Sequence, residues 1–345
     1  MSENRPTPDK AATEGAAPGR KLIAVLFGLT AVVTLMLCAF ALPSIHSGPD
    51  HVPVGVTGSQ GAADQLSQRL DSGTWDVTVY PDIESLTSAI EDRDVIGGIA
   101  VSSGKIDMYT AAAGAPSATS ALTTLGSTLA DQQQAEIHTH ELAPFTEDDP
   151  RGAGFGAAGL PLVFGGMIPA MVLTRLFPGH PGLRMRLAGS VLFSLLAGAA
   201  VAALLQFGTG TLAGNYWLTS LGLSLGMAAL SMTFIGLEAL VGFAGLGAGA
   251  AVMMLLGNPL SGLGSGPYWL PDGWALVGQI LPPGAAGSLL RANSYFDGTG
   301  ALAPALTLAA WVALGLVLML LADRRGRRTG APVEPSQAQP TPATA

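Results

Sequence analysis

Two histidines on one predicted strand, His138 and His140, have the clearest capacity to bind a metal ion. They flank a single threonine and precede a glutamate. Alternate residues of a strand share one face, so both imidazoles could contact one zinc ion. His46 and His51 lie in the same region, but the sequence shows no evident third ligand. A polar surface strand explains the same pattern, and we favour it, with His138 and His140 as the alternative metal ligands.

Motifs for nucleotide hydrolysis and for nucleophilic catalysis are absent from the sequence. The chain has three lysines, Lys10, Lys21 and Lys105, and none follows the glycine spacing of a phosphate-binding loop. No Ser-His-Asp arrangement, paired carboxylates or His-Glu-x-x-His motif is evident. We therefore predict that this chain is not an enzyme, holds no cofactor and does not hydrolyse ATP by itself.

Two ionisable residues, Glu238 and Arg291, stand out in apolar surroundings. Glu238 lies near the end of a long apolar segment. It is either an interfacial residue or a buried carboxylate involved in gating or proton movement. Arg291 is expected at the membrane interface, where it could meet an anionic lipid headgroup, and it is the second candidate gating residue beside Glu238. Neither residue identifies a substrate.

The composition is typical of a membrane protein. Hydrophobic residues make up 49% of the 345 residues and charged residues only 12%, about half of the roughly 25% usual in soluble proteins. The 46 glycines suit close helix packing in lipid. The net charge of −8 comes mainly from one region, since 16 of the 24 acidic residues lie between Asp50 and Asp149.

The first apolar run, Leu22 to Leu42, contains no charge and is long enough to cross a hydrocarbon core of about 30 Å. Its Cys38 is the only cysteine, so an intrachain disulfide is excluded. Cleavage as a signal peptide after Ala41 is the alternative to a retained helix. We predict retention, and either outcome places the following region outside. Residues 1–21 are predicted to form a disordered cytoplasmic tail.

A water-facing α/β domain is predicted for residues 43–151. Hydropathy falls there, and short alternating strand and helix signals replace the long apolar runs. The predicted strands begin near Val52, Trp75, Val95, Lys105 and Glu136. Nothing in this domain has the pattern of a catalytic site.

Residues 158–322 are predicted to form a five-helix membrane domain. Prolines interrupt the apolar segment at about 259–298, which indicates an external re-entrant hairpin with short helices near Gly273 to Leu281 and Gly284 to Tyr295. Residues 323–345 are predicted to be a disordered cytoplasmic tail. The five predicted crossings are Leu160 to Phe177, Leu187 to Phe207, Tyr216 to about Leu237, about Leu240 to Leu256, and Ala301 to Leu321.

The orientation of the chain follows from its basic residues. The turn from Arg175 to Arg186 carries three arginines between two uncharged apolar runs. Four basic residues precede the first crossing and four follow the last, so eleven of the 16 lie on one predicted side. Because loops rich in Lys and Arg stay cytoplasmic, both termini are expected inside and residues 43–151 outside. The predicted fold class is therefore an α-helical polytopic membrane protein with six transmembrane helices and an extracytoplasmic α/β domain between helices 1 and 2.

This layout resembles that of the membrane subunits of type-2 ABC exporters, most closely the phage-infection-protein branch with a large external domain after the first helix. The similar stretches are Leu86 to Val101, Leu160 to Phe177, and Leu281 to Phe296. The resemblance implies a permease that forms a homodimer or heterodimer and pairs with a separate ATP-hydrolysing subunit. It also implies that the internal turn docks onto that ATPase, through Arg175, Phe177, His180, Arg184 and Arg186.

The predicted function is a permease of the plasma membrane that exports a lipid-like or amphipathic molecule. Its expected partners are an ABC-type ATPase, a second permease and the lipid bilayer, with no role for nucleic acid. The alternative is a non-transporting receptor or scaffold whose external domain binds a cell-envelope component, a partner or a phage. The sequence leaves the transported molecule unnamed.

Overall fold

A computed structural model describes residues 18–45, 48–70, 72–102, 104–179, 181–270 and 273–329. The predicted disordered tails, 1–21 and 323–345, lie mostly outside these ranges. Where they are described, at 18–21 and 323–329, the chain is helical. The first helix, α1 (Pro18–Ile45), and the last therefore extend beyond the predicted crossings.

A five-stranded mixed sheet follows α1, as expected for a small α/β domain. Its strand order is β2-β1-β3-β4-β5; β3 and β4 are antiparallel, and the other neighbouring pairs are parallel. The elements are β1 (Val52–Gly58), α2 (Gln60–Arg69), β2 (Trp75–Val79), α3 (Ile83–Glu91), β3 (Gly97–Ser102), β4 (Lys105–Thr110), α4 (Pro116–Gln133) and β5 (Glu136–Glu141).

Alternation along the strands explains why the sheet has a dry face. Val54, Ile99, Ile106 and Met108 are buried together with Leu122 of α4, because successive strand residues point to opposite faces. Burial of such side chains provides most of the stabilisation of a small domain.

Four described helices are long and apolar enough to cross a membrane: Ala153–Leu176, Leu183–Gly208, Tyr216–Val241 and Leu302–Gly326. The α-helices that follow the sheet are α5 (Ala153–Ala157), α6 (Gly159–Leu176), α7 (Leu183–Ala203), α8 (Tyr216–Val241), α9 (Phe243–Val252), α10 (Trp274–Ile280), α11 (Pro282–Tyr295) and α12 (Leu302–Thr329). Six spans are therefore not confirmed, and two shorter apolar stretches remain, Leu26–Cys38 within α1 and Phe243–Gly257.

The predicted fifth crossing is shorter than expected. α9 continues into a π-helical turn that ends at Gly257, and together they extend about 22 Å at 1.5 Å per residue. That length falls short of the roughly 30 Å of a bilayer core. The chain reverses sharply before α9 at Gly242, whose φ of 81° favours glycine.

Helix α8 lies at the centre of the bundle, between α6, α7, α11 and α12. Its apolar window is 78% buried, compared with 22% for α7 and α12. Gly236 of α8 faces Gly315 of α12 so closely that a Cβ on Gly315 would lie 2.5 Å from the carbonyl carbon of Met232. Small residues allow this backbone approach in lipid, where packing rather than water drives association.

The two ends of the helix bundle differ in their charged residues and in whether another part of the protein covers them. Helices α6, α8 and α12 terminate on one side of the bundle, and α7 begins there. This side carries Arg175, Arg184, Arg186 and the arginines of α12, and we call it the arginine end. The α/β domain and the α10–α11 hairpin cover the opposite end, where Arg93 contacts Thr299.

The hairpin helices α10 and α11 agree closely with the two short helices expected near Gly273 to Leu281 and Gly284 to Tyr295. They are separated at Leu281, which is extended, as expected for a residue before proline. Nearly all of α11 is buried, whereas α10 exposes Trp274 and Leu276.

Candidate functional site

An ion pair joins the helices at the arginine end. Nη1 of Arg186, in the first turn of α7, donates to Oε2 of Glu238, near the end of α8. Nε of Arg186 donates to the carbonyl oxygen of Phe177 at 2.7 Å. The side chains of Arg186 and Glu238 are only 4% and 17% exposed. One guanidinium thus connects α7, α8 and the turn that follows α6.

This geometry describes the surroundings of Glu238. Its carboxylate is largely buried and pairs with a cation rather than lying free at an interface. It also corrects the expectation for Arg186, because a buried guanidinium engaged within the chain is not accessible for docking. Burying both charges is costly unless they remain paired, so this contact stabilises one arrangement of the helices.

The other predicted docking residues lie on the surface of the arginine end. Arg175, Phe177 and Arg184 are exposed, and the Arg175 guanidinium lies 5.5 Å from the centre of the Phe243 ring. Beside them, a groove of about 610 Å³ separates the start of α7 from the end of α12. His180 lies outside the described residues.

Arg291 is buried inside the protein and does not lie on its surface. It is only 2% exposed, since α11 packs against α8 and α12 and its arginine lies against Phe155 and Leu263. Its Nη2 donates to the carbonyl oxygen of Leu263 at 2.9 Å, and its guanidinium lies 4.8 Å from the Phe155 ring. Within the described part of the chain, its Nε has no hydrogen-bond partner.

A second arginine, Arg93, lies at the contact between the α/β domain and the hairpin. Arg93 lies just after α3, and its backbone φ of 66° is in the left-handed region. Nη1 donates to the carbonyl oxygen of Thr299 at 3.2 Å, and the guanidinium lies 4.9 Å from the Phe296 ring. Sequence reasoning missed this site.

The two arginines create a positive region on the side away from the arginine end. Burial, followed by the charge of Arg93, lowers the pKa of Arg291 to about 10, and burial also lowers the pKa of Arg93. Both groups remain protonated at neutral pH. Among the described residues, neither forms an ion pair with a carboxylate.

Arg93 borders a cavity of about 450 Å³ between the α/β domain and the hairpin, which we call the seam pocket. One wall comes from the α/β domain and the other from α10, the loop before α12 and the first turns of α12. Most of its surface is apolar. The lining includes Ile90, Arg93, Tyr268, Leu276, Phe296 and Thr307.

In the described part of the chain, no group of three potential metal ligands surrounds the histidine pair. His138 and His140 lie on the exposed edge strand β5. Nε2 of His138 lies 3.3 Å from Glu136, and Nε2 of His140 lies 3.5 Å from Asp107. His140 also stacks on Tyr109.

Comparisons of this chain with protein-family models, with curated proteins and with solved structures found no significant match. The function must therefore be argued from the geometry of the two ends of the helix bundle.

Proposed function

We propose that this chain is the permease subunit of an ABC-type exporter that moves a lipid-like or amphipathic molecule and is energised by a separate ATPase subunit. The proposal rests on the short arginine-bearing turn between α6 and α7. The ion pair of Arg186 and Glu238 holds this turn in place. This turn is exposed and basic, and its contacts with α6, α7 and α8 hold it in place. A partner that binds the turn can therefore move these three helices.

In the proposed orientation, the chain lies in the plasma membrane with its arginine end in the cytoplasm. Both termini are then cytoplasmic, and residues 43–151 are extracytoplasmic. The distribution of Lys and Arg supports this orientation. The ends of α6, α8 and α12 and the start of α7 bring their arginines to the same end of the bundle, which is consistent with this orientation.

The proposal treats α1 and the short helix of Phe243–Gly257 as crossings, for a total of six. α9 begins beside Arg175 at the arginine end, and the following π turn ends against Pro283 of the hairpin. The segment thus runs from one end of the bundle to the other. Its shortness is explained if the α10–α11 hairpin enters the outer half of the bilayer and meets it there.

Permease dimers need an unpartnered apolar surface, and α1 offers one. Its described side chains are exposed on every side, including Phe27, Val33 and Leu37. A helix apolar all round must contact lipid or another protein. We assign this surface to lipid and to a second permease subunit.

Isolation of the full chain from membranes of its own cell tests the proposal. An ABC-type ATPase should co-purify in mild detergent with the unaltered chain and be reduced by the double substitution Arg175→Glu and Arg184→Glu. Arg151→Glu, at an exposed position in the extracytoplasmic region, is the matched control and should not reduce recovery. Absence of any ATPase from the unaltered preparation would overturn the proposal.

A receptor is the second candidate, favoured by the exposed edge strand β5. Unpaired strand edges can bind an extended segment of another protein. Deleting residues 45–150 distinguishes the two functions. A receptor would lose its ligand and all function, whereas a permease would still associate with its ATPase.

A further inference from the structure

We propose that the seam pocket binds the phosphate-bearing, anionic head group of one phospholipid from the outer leaflet, with Arg93 as the direct contact. This goes beyond the proposed function, because such binding does not require transport. The occupant is inferred from the charge, the walls and the position of the pocket relative to the bilayer.

The charge of the pocket is positive and uncompensated. Arg93 uses one nitrogen on the carbonyl oxygen of Thr299 and packs over Phe296, and it has no carboxylate partner in the described part of the chain. Arg93 is the only arginine among the residues that line the pocket in the described part of the chain. Isolated buried cations are costly and are retained where a ligand or a partner supplies the opposite charge.

Acidic side chains near the pocket do not cancel this charge. Asp92 lines the rim and Asp94 lies next to Arg93, and both are exposed to solvent. Tyr268 lines the pocket as a neutral hydrogen-bonding group, because burial raises the pKa of its hydroxyl. An anion that enters thus meets a guanidinium inside and carboxylates only at the wet rim.

The remaining polar groups of the pocket are already engaged. Ser288 donates to Oε1 of Gln279, and Nε2 of Gln279 donates to the carbonyl oxygen of Ser261. These groups have little hydrogen-bonding capacity left for a ligand, so Arg93 is the main polar residue available for contact. A charge-assisted hydrogen bond from arginine to phosphate is among the strongest that proteins use.

The walls require an occupant with an apolar part. Val95 and Ile96 come from the α/β domain, while Leu276 and Ile280 come from α10. Free phosphate would leave these walls in contact with water, at a cost that grows with the apolar area exposed. A glycerol backbone with the first segments of two acyl chains would cover them.

The pocket also opens toward the lipid-facing surface. Leu276 and Ile280 are 66% and 53% exposed, and Leu306 at the start of α12 is 60% exposed. These side chains form an apolar strip that leads from the pocket along α10 and α12. Acyl chains can follow that strip into the outer leaflet while the head group remains near Arg93.

Binding to the purified full chain in detergent tests this assignment without any ATPase, so its failure is distinguishable from failure of the exporter proposal. Native mass spectrometry should detect one bound dioctanoyl phosphatidylglycerol. Dioctanoylglycerol, which lacks the phosphate, should bind at least about tenfold more weakly. Inorganic phosphate alone should not compete at comparable concentration. Equal binding of the uncharged lipid would overturn the proposal, and so would effective competition by phosphate.

Two variants locate the site. Arg93→Gln should weaken phosphatidylglycerol binding at least about tenfold, and Arg151→Gln should leave it unchanged. Ala303→Trp places a large ring at the pocket wall without altering any charge and should also block binding. Unfolding midpoints in the same detergent establish that each variant is folded. Unchanged binding by either folded pocket variant would overturn the assignment.

Discussion

The guanidinium of Arg186 and the carboxylate of Glu238 form a buried ion pair across the junction of α7 and α8, directly behind the exposed basic turn. The same guanidinium holds the carbonyl oxygen of Phe177. A force on the turn is therefore transmitted to both helices. Four predictions test this pair, the helix packing, the topology and the buried charge of Arg291.

The first prediction concerns the ion pair. Glu238→Gln should destabilise the chain by about 3 kcal/mol, because it leaves the buried Arg186 cation without its partner. Chemical unfolding in detergent measures this loss. The double variant Arg186→Met with Glu238→Leu removes both charges and should cost less than Glu238→Gln alone.

Arg175→Gln is the matched control, since this arginine is exposed and its replacement should change stability by less than about 1 kcal/mol. If Glu238→Gln were as stable as the unaltered chain, the pair would contribute nothing to holding α7 against α8.

The second prediction concerns the close contact of α8 and α12. Gly315→Ala should destabilise the bundle by about 1–3 kcal/mol, because the added Cβ would overlap the backbone at Met232. Gly247→Ala makes the same chemical change in α9, where the Cβ meets nothing within 4 Å. It should be neutral or slightly stabilising through helix propensity. Equal effects of the two substitutions would contradict the close approach of Gly236 and Gly315.

The third prediction concerns topology. In a Cys38→Ala background, a membrane-impermeant thiol reagent should label Thr78→Cys in intact cells, because this exposed residue lies on the edge strand β2 of the proposed external domain. Arg184→Cys should be labelled only after the membrane is permeabilised. The reverse pattern would invert the orientation and remove the basic turn from the cytoplasm.

The fourth prediction concerns the buried charge of Arg291. Its pKa of about 10 lies below the ordinary value of 12.5, so the folded state disfavours the protonated form by about 3 kcal/mol relative to the unfolded chain. Arg291→Met should therefore be at least as stable as the unaltered chain, measured by thermal unfolding at pH 7. The sign follows from the lowered pKa: the penalty is fully present at neutral pH and begins to decline only above about pH 10, where the folded state loses the proton before the unfolded chain does.

Arg291→Lys keeps a buried charge and loses the planar contact with Phe155, so it should be less stable than Arg291→Met. A large loss of stability in Arg291→Met, with Arg291→Lys unaffected, would show that the charge itself supports the fold.

Long uncharged runs were readable from the sequence because lipid permits few ionisable side chains and requires each helix to satisfy its own backbone. This is why α6, α7, α8 and α12 fall close to their predicted limits. The strands of the α/β domain followed from alternation around residues such as Val54 and Ile106, which are buried on one face.

Long-range contacts were not readable in the same way. Arg291 looked interfacial because its own neighbours in sequence are mixed, and only the packing of Phe155 and Leu263 shows that it is buried. Arg93 and Phe296 lie about 200 residues apart in sequence and meet only in the fold. No local pattern could have indicated that they share a pocket.

The most direct test of the exporter account is photo-crosslinking from position 184 in intact membranes. A photoreactive amino acid in place of Arg184 should crosslink the chain to an ABC-type ATPase, because this exposed position lies on the proposed docking surface. The same amino acid in place of Arg151 should give no such product. If position 184 crosslinks only to lipid or to no ATPase, while the chain is folded and inserted, the central claim is contradicted.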